Sequence, residues 1–228
     1  MKTECFMLGN TPVVLHGEPA DTLWLFIHGQ FGCKEEALPF AEIVGPNAQV
    51  LSIDLPGHGT RRDRGEAFAP WTAAPELAQV MAYARAHWRT VKVRATSIGA
   101  YFAQLAFAAP EKALFVSPVA DMERLICDRI RAAGITEDKL HMLGEYPAEE
   151  GDMLSWDYLC WVRMHPVYDW KCPMHILCGE NDSMTALSTI RAYAERHRAE
   201  LTILPHGEHW FHTSEQLAAM TAWERKNT

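Results

Sequence analysis

Short apolar runs alternate along the chain with segments whose apolar residues recur at helical spacing. The opening segment CFMLGNTPVVLHGEP predicts a pair of strands with a turn near Gly9 and Asn10. Further strands are predicted in TLWLFIHG, AQVLSIDLPGHG, TVKVRATS, KALFVSPVA, MHILCGEND and LTILPHGEH. Helices are predicted in KEEALPFAEIVG, PELAQVMAYARAHW, AYFAQLAFAA, TALSTIRAYAERHR and SEQLAAMTAWERK. This alternation predicts an α/β fold, a mostly parallel, doubly wound sheet with helices on both faces and right-handed crossovers.

One stretch breaks the alternation. Residues 121–170 contain no clear buried strand but hold two helix-like pieces, MERLICDRIRAAG and EEGDMLSWDYLCWVRMHP. The stretch is also rich in aromatic residues, namely Tyr146, Trp156, Tyr158, Trp161, Tyr168 and Trp170. We interpret it as a small helical cap inserted at about 121–170 into a single domain spanning 1–228. The alternative is that these helices only pack on the sheet.

Composition and charge narrow the class of protein. A chain of 228 residues fits one domain. It has 21 basic and 29 acidic residues, a net charge of -8, which argues against nucleic acids and anionic membranes as partners. No signal peptide or membrane span is visible. The six scattered cysteines predict free thiols and a cytoplasmic location. The sequence is compatible with a homodimer.

The segment from Thr90 to Pro110 places a hydroxyl at a sharp corner between a strand and a buried helix. Ser97 lies there, at a strand's carboxyl end, where open parallel sheets bind ligands. The small residues Ala95 and Gly99 allow the strand and helix to cross closely. The amide of Ile98 begins the helix and points outward, where it can stabilise an anion. These are the parts of an activated serine nucleophile, although such a corner is also a common helix cap.

A nucleophilic serine needs a base and an orienting carboxylate. The segment ILCGENDS ends a strand with Glu180 and Asp182, and LTILPHGEH ends another with His206 and His209. Serine, acid and histidine therefore follow one another at three strand ends, in the order Ser…acid…His. The spacing His206, His209, His212 also suggests a metal site, but the zinc motifs are missing, so we expect no metal.

The segments FIHGQFG, DLPGHGTR, RATSIGA, ILCGEND and PHGEHWFHTSE resemble the α/β-hydrolase superfamily over nearly the whole chain. The resemblance implies Asp182 as the acid, from the pattern G-x-x-D, and His209 as the base, because Glu215 follows it. It also implies a second oxyanion amide at Gln30, or at Phe31 if the loop is shifted. The departures from the family pattern are Ala95 for a glycine and Thr96 for a histidine; they leave the substrate class open.

The predicted function is hydrolysis of an ester or thioester of a small organic acid by Ser97, His209 and Asp182, without a cofactor or metal. The amides of Gln30 and Ile98 would form the oxyanion hole. The expected partner is a small-molecule ester. Alternatives on the same triad are a carbon–carbon bond hydrolase, a lyase or an acyltransferase. A non-catalytic receptor of the same fold is the alternative from another class.

Four aromatic residues are candidates for substrate binding, namely Phe31, Trp156, Trp161 and Trp210. We expect Trp210 and Phe211 also to pack into the core beside the base. The charged Arg94 within a central strand needs a buried partner, for which Asp121 and Asp54 are the candidates.

Overall fold

The computed structural model describes residues 1–148 and 153–228. Eight strands of this part of the chain form one sheet: β1 Thr3–Leu8, β2 Thr11–His16, β3 Thr22–Ile27, β4 Gln49–Ile53, β5 Thr90–Thr96, β6 Ala113–Val116, β9 Met174–Gly179 and β10 Glu200–Leu204. Two short strands, β7 Glu145–Pro147 and β8 Met153–Ser155, pair with each other as a separate antiparallel ribbon.

The strand order in the sheet is β1-β2-β4-β3-β5-β6-β9-β10. Strand β2 pairs antiparallel with β1 and β4, and all the other neighbours pair in parallel. The opening pair turns at Gly9 and Asn10, as predicted, with Leu8 opposite Thr11. The predicted mostly parallel sheet is confirmed, and its parallel strands direct their carboxyl ends to one edge.

The described helices are α1 Ala37–Val44, α2 Pro70–His87, α3 Ile98–Ala106, α4 Met122–Ala132, α5 Glu137–Leu143, α6 Trp156–Met164, α7 Leu187–His197 and α8 Ser214–Asn227. Alternate residues of the central strands belong to two separate apolar clusters, as the pleat requires. One cluster contains Phe40 of α1 and Trp223 of α8, and the other contains side chains of α2, α3 and α7. Helices therefore cover both faces, as predicted.

Helix α2 starts one turn earlier than the pattern predicts. Its first residue is Pro70, whose fixed φ suits the start of a helix, whereas Pro75 lies inside it. Pro75 has no backbone N–H, so the carbonyl oxygen of Trp71 lacks its usual helical hydrogen bond. Trp71 lies at 44% exposure, so water can reach this turn of the helix. No helix in the described ranges is long and apolar enough to cross a membrane.

Residues 122–164, the α4–α6 segment, contain helices α4, α5 and α6 and the small ribbon β7–β8. The helix predicted from EEGDMLSWDYLCWVRMHP is partly wrong: residues 149–152 of it lie outside the described residues, Met153–Ser155 is a strand, and the helix spans Trp156–Met164. Helix α6 begins only at Trp156 because the Ser155 hydroxyl accepts a hydrogen bond from the Tyr158 amide at 3.3 Å.

One side chain joins the three helices of the α4–α6 segment at their solvent side. Arg163 of α6 donates from Nε to Glu123 of α4 at 2.7 Å. Its two terminal nitrogens donate to Glu137 of α5 at 2.8 and 3.0 Å. The guanidinium thus ties α4 and α5 to α6 through a fork of charged hydrogen bonds.

Candidate active site

Ser97 lies at the corner between β5 and α3 in a backbone conformation that non-glycine residues rarely adopt, with φ 51° and ψ -125°. The corner is tight because Gly99 sits directly on the strand β3 backbone: a Cβ on Gly99 would collide with the His28 carbonyl oxygen. Ala95 is fully buried beneath the turn. The small residues at both positions therefore do what the sequence predicted, and the corner holds the serine at the strand's carboxyl end.

A continuous chain of hydrogen bonds runs from this serine to a carboxylate. The Ser97 Oγ lies 2.8 Å from His209 Nε2, and His209 Nδ1 lies 2.8 Å from Asp182 Oδ2. With its proton on Nδ1, the imidazole donates to the carboxylate and accepts from the serine hydroxyl. The side chain of His209 is 13% exposed and that of Asp182 only 3%.

The Asp182 carboxylate is held by its own loop. Its Oδ1 accepts hydrogen bonds from the amides of Met184 and Thr185 at 2.8 and 2.9 Å. The other oxygen is thereby aimed at His209. Backbone amides that donate to one carboxylate oxygen fix the orientation of the carboxylate, which is what an orienting acid requires.

Glu180 and His206, the other acid and histidine of these loops, make different contacts. Glu180 accepts a hydrogen bond from the backbone amide of His206 at 3.0 Å, so it links the two loops. The His206 side chain is 91% exposed. The structure thus brings Asp182 and His209 to Ser97, and leaves Glu180 and His206 outside the chain of hydrogen bonds. In the ranges that the structure describes, no group of three or more His, Cys, Asp or Glu side chains is arranged to hold a metal ion.

Gln30 and Ile98, the expected oxyanion residues, both line one cavity together with Ser97. Ile98 is the first residue of α3, so its amide is one of those without a partner inside the helix. Phe31 has a positive φ of 66° and a side chain that is 78% exposed. The loop after β3 therefore turns sharply beside the serine, with the Gln30 side of the loop toward the cavity.

His28, at the end of β3, braces this loop from inside the protein. Its Nδ1 donates to the Gly29 carbonyl at 2.7 Å, and its Nε2 accepts from the Leu55 amide at 3.1 Å. Complete burial lowers the pKa of His28 to about 4, so the ring is neutral at neutral pH. The neutral tautomer ties the loop after β3 to the loop after β4.

The cavity above Ser97 has a volume of about 190 Å³. Most of its lining is apolar and comes from the α4–α6 segment and neighbouring loops. The lining residues are Gln30, Phe68, Ser97, Ile98, Val119, Met122, Leu125, Ile126, Arg129, Met153, Leu154, Ser155, Tyr158 and Met184.

Comparison with known proteins identifies the fold of the chain. No model of a protein family matches the chain, and no curated protein does either. Many solved structures do match. Est1E from Butyrivibrio proteoclasticus, in a structure with ferulic acid bound, superposes with a TM-score of 0.77 at 19% identity, over 95% of this chain and 93% of that one.

Two further structures give the same picture. Alpha/beta hydrolase domain-containing protein 10 from mouse matches with a TM-score of 0.70 at 13% identity, over 100% of this chain and 98% of the other. XC6422 from Xanthomonas campestris, described as an α/β serine hydrolase without lid, matches with a TM-score of 0.65 at 15% identity, over 99% and 93% of the two chains. The chain has the α/β-hydrolase fold. At these identities the likeness establishes the fold alone.

Two of the tryptophans expected at the substrate, Trp156 and Trp161, pack away from the cavity above Ser97. Trp161 stacks on His165 with ring centroids 4.0 Å apart and meets Trp71 of α2 at 6.1 Å. Trp156 stacks on His141 at 4.5 Å. Neither is among the described residues that line the cavity above Ser97. Their rings are taken up by packing within the α4–α6 segment and against α2.

The prediction that Trp210 packs into the core is wrong. Its side chain is 76% exposed, and its ring stacks on His212 at 5.2 Å. The neighbouring Phe211 is buried, as expected, in the cluster with α1 and α8. Of these two neighbours in the loop, only Phe211 enters the core.

The partner of Arg94 was also predicted wrongly. Its guanidinium donates to Glu224 of α8 at 2.8 and 2.9 Å and also to the Thr96 hydroxyl. The suggested partners are engaged elsewhere: Asp54 pairs with Lys34 at 2.7 Å, and Asp121 caps α4. The α/β-hydrolase sheet of this chain therefore holds a buried ion pair behind the serine strand, with both side chains 3% exposed.

Most of the residues that form the cavity wall were not among the predicted site residues. Helix α4 contributes Met122, Leu125, Ile126 and Arg129. These residues follow one another at i, i+3, i+4 and i+7, the spacing of one helix face. That pattern could have identified the wall. Of the aromatic residues noted in the predicted cap, Tyr158 of α6 is among the described residues that line the cavity, whereas Trp156 and Trp161 are not.

Proposed function

We propose that this chain is a serine hydrolase that cleaves a carboxylic ester or thioester of a small organic acid through an acyl-enzyme. The observation that carries the proposal is the chain of hydrogen bonds from Ser97 through His209 to Asp182, with the serine held at a positive φ above the sheet. A nucleophile next to a base, and a base oriented by a buried carboxylate, form the constellation that activates a hydroxyl.

In the proposed reaction Ser97 Oγ attacks the carbonyl carbon of the ester while His209 Nε2 takes its proton. The tetrahedral intermediate collapses by breaking the bond from the carbonyl carbon to the leaving oxygen or sulfur, which receives the proton from His209. Water then attacks the acyl-enzyme, His209 again takes a proton, and the carboxylic acid and free serine are released. Asp182 stabilises the imidazolium that forms in each half.

The developing oxyanion is assigned to the amides of Gln30 and Ile98. Both residues line the cavity with Ser97, and the Ile98 amide lies at the positive end of α3. The neutral, fully buried His28 holds the loop that carries Gln30. A preorganised pair of donors costs no reorganisation when charge develops, which is the reason for bracing the loop from within.

The α4–α6 segment is proposed to act as a cap over the acyl group, within a single domain. It supplies Met122, Leu125, Ile126 and Tyr158 to the wall of the cavity that contains Ser97. The volume of about 190 Å³ is smaller than the roughly 300–1,000 Å³ of pockets for drug-sized ligands. A short or single-ring acyl group suits that space better than a long chain.

The experiment is a panel of esters and thioesters of increasing acyl length, assayed beside labelling with a fluorophosphonate probe. Because ferulic acid is bound in the Est1E structure, a ferulate ester belongs in the panel. We expect turnover and labelling in the native chain, and loss of both in Ser97→Ala with an unchanged thermal melt. Labelling without turnover of any ester would favour the carbon–carbon hydrolase, lyase or acyltransferase alternatives. Absence of both would favour a non-catalytic binder.

A further inference from the structure

A second cavity lies on the face of the sheet that α1 and α8 cover, and we call it the α1–α8 cavity. Its volume is about 760 Å³, within the roughly 300–1,000 Å³ of pockets for small organic ligands. His209 lines it, whereas Ser97 is not among the described residues that do. Its walls are mainly apolar and include Phe26, Phe40, Val116, Phe211, Leu217 and Met220.

The buried ion pair behind the serine strand forms a polar part of this wall. Arg94 and Glu224 both line the cavity. The Nε and Nη2 atoms of Arg94 donate at 2.9 and 2.8 Å to the same oxygen of Glu224, Oε1. The other carboxylate oxygen, Oε2, accepts no hydrogen bond from the described residues, although the side chain is almost completely buried.

The unpartnered oxygen is open to the cavity. The hydroxyls of Tyr101 and Tyr158 also lack a partner, but protein atoms enclose them completely, whereas Glu224 Oε2 is not enclosed in this way. The open space that Glu224 borders is the α1–α8 cavity. A buried carboxylate oxygen without a donor costs free energy, so a donor in this cavity would bind with a net gain.

The charge of the cavity favours a positively charged donor. Glu36, the residue before α1, lines the same space and pairs with no basic side chain among the described residues. The two carboxylates of Glu36 and Glu224 thus outnumber the single guanidinium of Arg94. The net charge of the whole chain, -8, has the same sign. A cation entering the cavity is therefore attracted, and an anion is repelled.

An exposed aromatic ring lies in the wall of the cavity. Trp210 is among the lining residues, and most of its side chain is exposed. The face of an indole attracts ammonium groups, and its apolar area packs against alkyl and aromatic groups. Apolar walls, an indole and an unpartnered carboxylate oxygen together match a compound that carries a positive nitrogen on an apolar skeleton.

We propose that the α1–α8 cavity binds a small organic ammonium compound, whose N–H donates to Glu224 Oε2 and whose apolar part packs against the aromatic wall. A primary or secondary ammonium fits, because a quaternary one has no hydrogen to donate. The inference goes beyond the proposed function, since it concerns binding on the α1 and α8 face of the sheet and needs no turnover at Ser97.

The test measures binding of three matched probes by isothermal titration calorimetry at pH 7 and low salt. The probes are 4-phenylbutylammonium, the neutral 4-phenylbutan-1-ol and the anionic 4-phenylbutanoate. We expect the ammonium to bind about tenfold more tightly than the alcohol, because its hydrogen bond to a carboxylate is assisted by charge. The carboxylate should bind most weakly, and added salt should reduce the advantage of the ammonium.

Two sets of variants locate the binding site. Arg94→Met combined with Glu224→Leu removes both members of the pair and keeps the net charge of the cavity, so it tests the hydrogen bond; the ammonium-to-alcohol ratio should fall to about threefold or less. Glu36→Gln should lower the ratio by about threefold through charge alone. Glu42→Gln on α1 is its matched control, since Glu42 is exposed and not among the described lining residues; it should keep the native ratio.

Each result supports or overturns the inference. Binding of the alcohol or the carboxylate as tight as that of the ammonium, or no binding of the ammonium, would overturn it. So would a native ratio in the double variant, provided that a thermal melt shows it folded. If the double variant does not fold, equal ratios in Glu36→Gln and Glu42→Gln would overturn the inference. Turnover in the ester panel is measured separately, so the proposed hydrolase could stand or fall independently of this site.

Discussion

Gly179 at the end of β9 and Gly207 after β10 touch through their backbones. A Cβ on Gly179 would collide with the Gly207 carbonyl group. The same carbonyl oxygen accepts the amide of Asn181 at 2.8 Å. These contacts bring the loop of Asp182 against the loop of His209, and so they set the distance between the proposed acid and base.

We therefore expect Gly179→Ala to lower both kcat and the melting temperature, because the added methyl group forces the two loops apart. Gly207→Ala is the comparison at the same contact, since its Cβ would lie 3.0 Å from the Gly179 Cα and 3.1 Å from the Leu204 Cβ and carbonyl oxygen, which is tight but less severe than the overlap between a Gly179 Cβ and the Gly207 carbonyl oxygen. The measurement is kcat on a common ester together with a thermal melt for each variant. A Gly179→Ala variant as active as Gly207→Ala would show that this contact does not set the geometry of the acid and base.

The second prediction separates the two acids of the same loop. Asp182→Asn should reduce kcat by about ten-thousand-fold, because the amide no longer stabilises the imidazolium and favours the wrong tautomer of His209. Glu180→Gln should change kcat little, since an amide oxygen can still accept from the His206 backbone. Steady-state kinetics on one ester decides between them. Losses of equal size would remove Asp182 from its proposed role.

The third prediction concerns stability and pH through His28. Its pKa is lowered from 6.5 to about 4 in the folded protein. Between these two pH values the His28 side chain is protonated in the unfolded chain but neutral in the folded protein. Protonation therefore favours unfolding. As the pH falls from about 7 to about 5, His28 should lower the free energy of unfolding by about 2 kcal/mol. Above the unfolded pKa of His28 the side chain is neutral in both states, so it should add no further pH dependence.

The measurement for His28 is urea unfolding at the two pH values. His28→Asn should show a shallower loss of stability toward acid than the native chain. His87→Asn, at an exposed position on α2, is the control and should retain the native slope. Parallel pH curves for the native chain and His28→Asn would contradict the assignment of a neutral, buried imidazole.

The fourth prediction follows from the position of Trp161, which packs on Trp71 and His165 outside the described cavity lining. Trp161→Ala should destabilise the protein by about 1–3 kcal/mol and leave the ranking of acyl lengths unchanged. Leu125→Ala, in the cavity wall, should instead shift preference toward longer acyl groups. Thermal melts and the ester panel give both readouts. A changed ranking in Trp161→Ala would place this ring at the substrate after all.

Local features of the sequence were sufficient for the fold and for Ser97, and they placed an acid and a histidine at two further strand ends; the choice of Asp182 over Glu180 and of His209 over His206 came from the resemblance to α/β-hydrolases. Ala95, Ser97 and Gly99 define the corner within five positions, and the loops with Asp182 and His209 each follow an apolar strand directly. In a parallel sheet the residues that follow each strand lie at the same edge of the sheet, so residues that are far apart in the sequence can be predicted to lie close together there.

Features that depend on distant pairing could not be predicted in the same way. The partner of Arg94 lies 130 positions away on α8, and no local pattern distinguishes Glu224 from the chain's other carboxylates. Whether Trp210 or Phe211 is buried depends on which side chain packs against the rest of the protein, and here it is Phe211. The cavity wall likewise depends on how the helices of the α4–α6 segment dock.

The fork of hydrogen bonds from Arg163 has a consequence for how this protein can change. It fastens α4, which forms much of the cavity wall, to its neighbours from the solvent side, with the Arg163 side chain 35% exposed. Partly exposed ionic contacts of this kind weaken as salt rises, whereas the hydrogen bonds from Ser97 to His209 and from His209 to Asp182 do not involve them. In the proposed hydrolase, acyl selectivity and catalytic rate could therefore change independently, because a change of charge at Arg163 would alter the position of the cavity wall and leave Ser97, His209 and Asp182 in place.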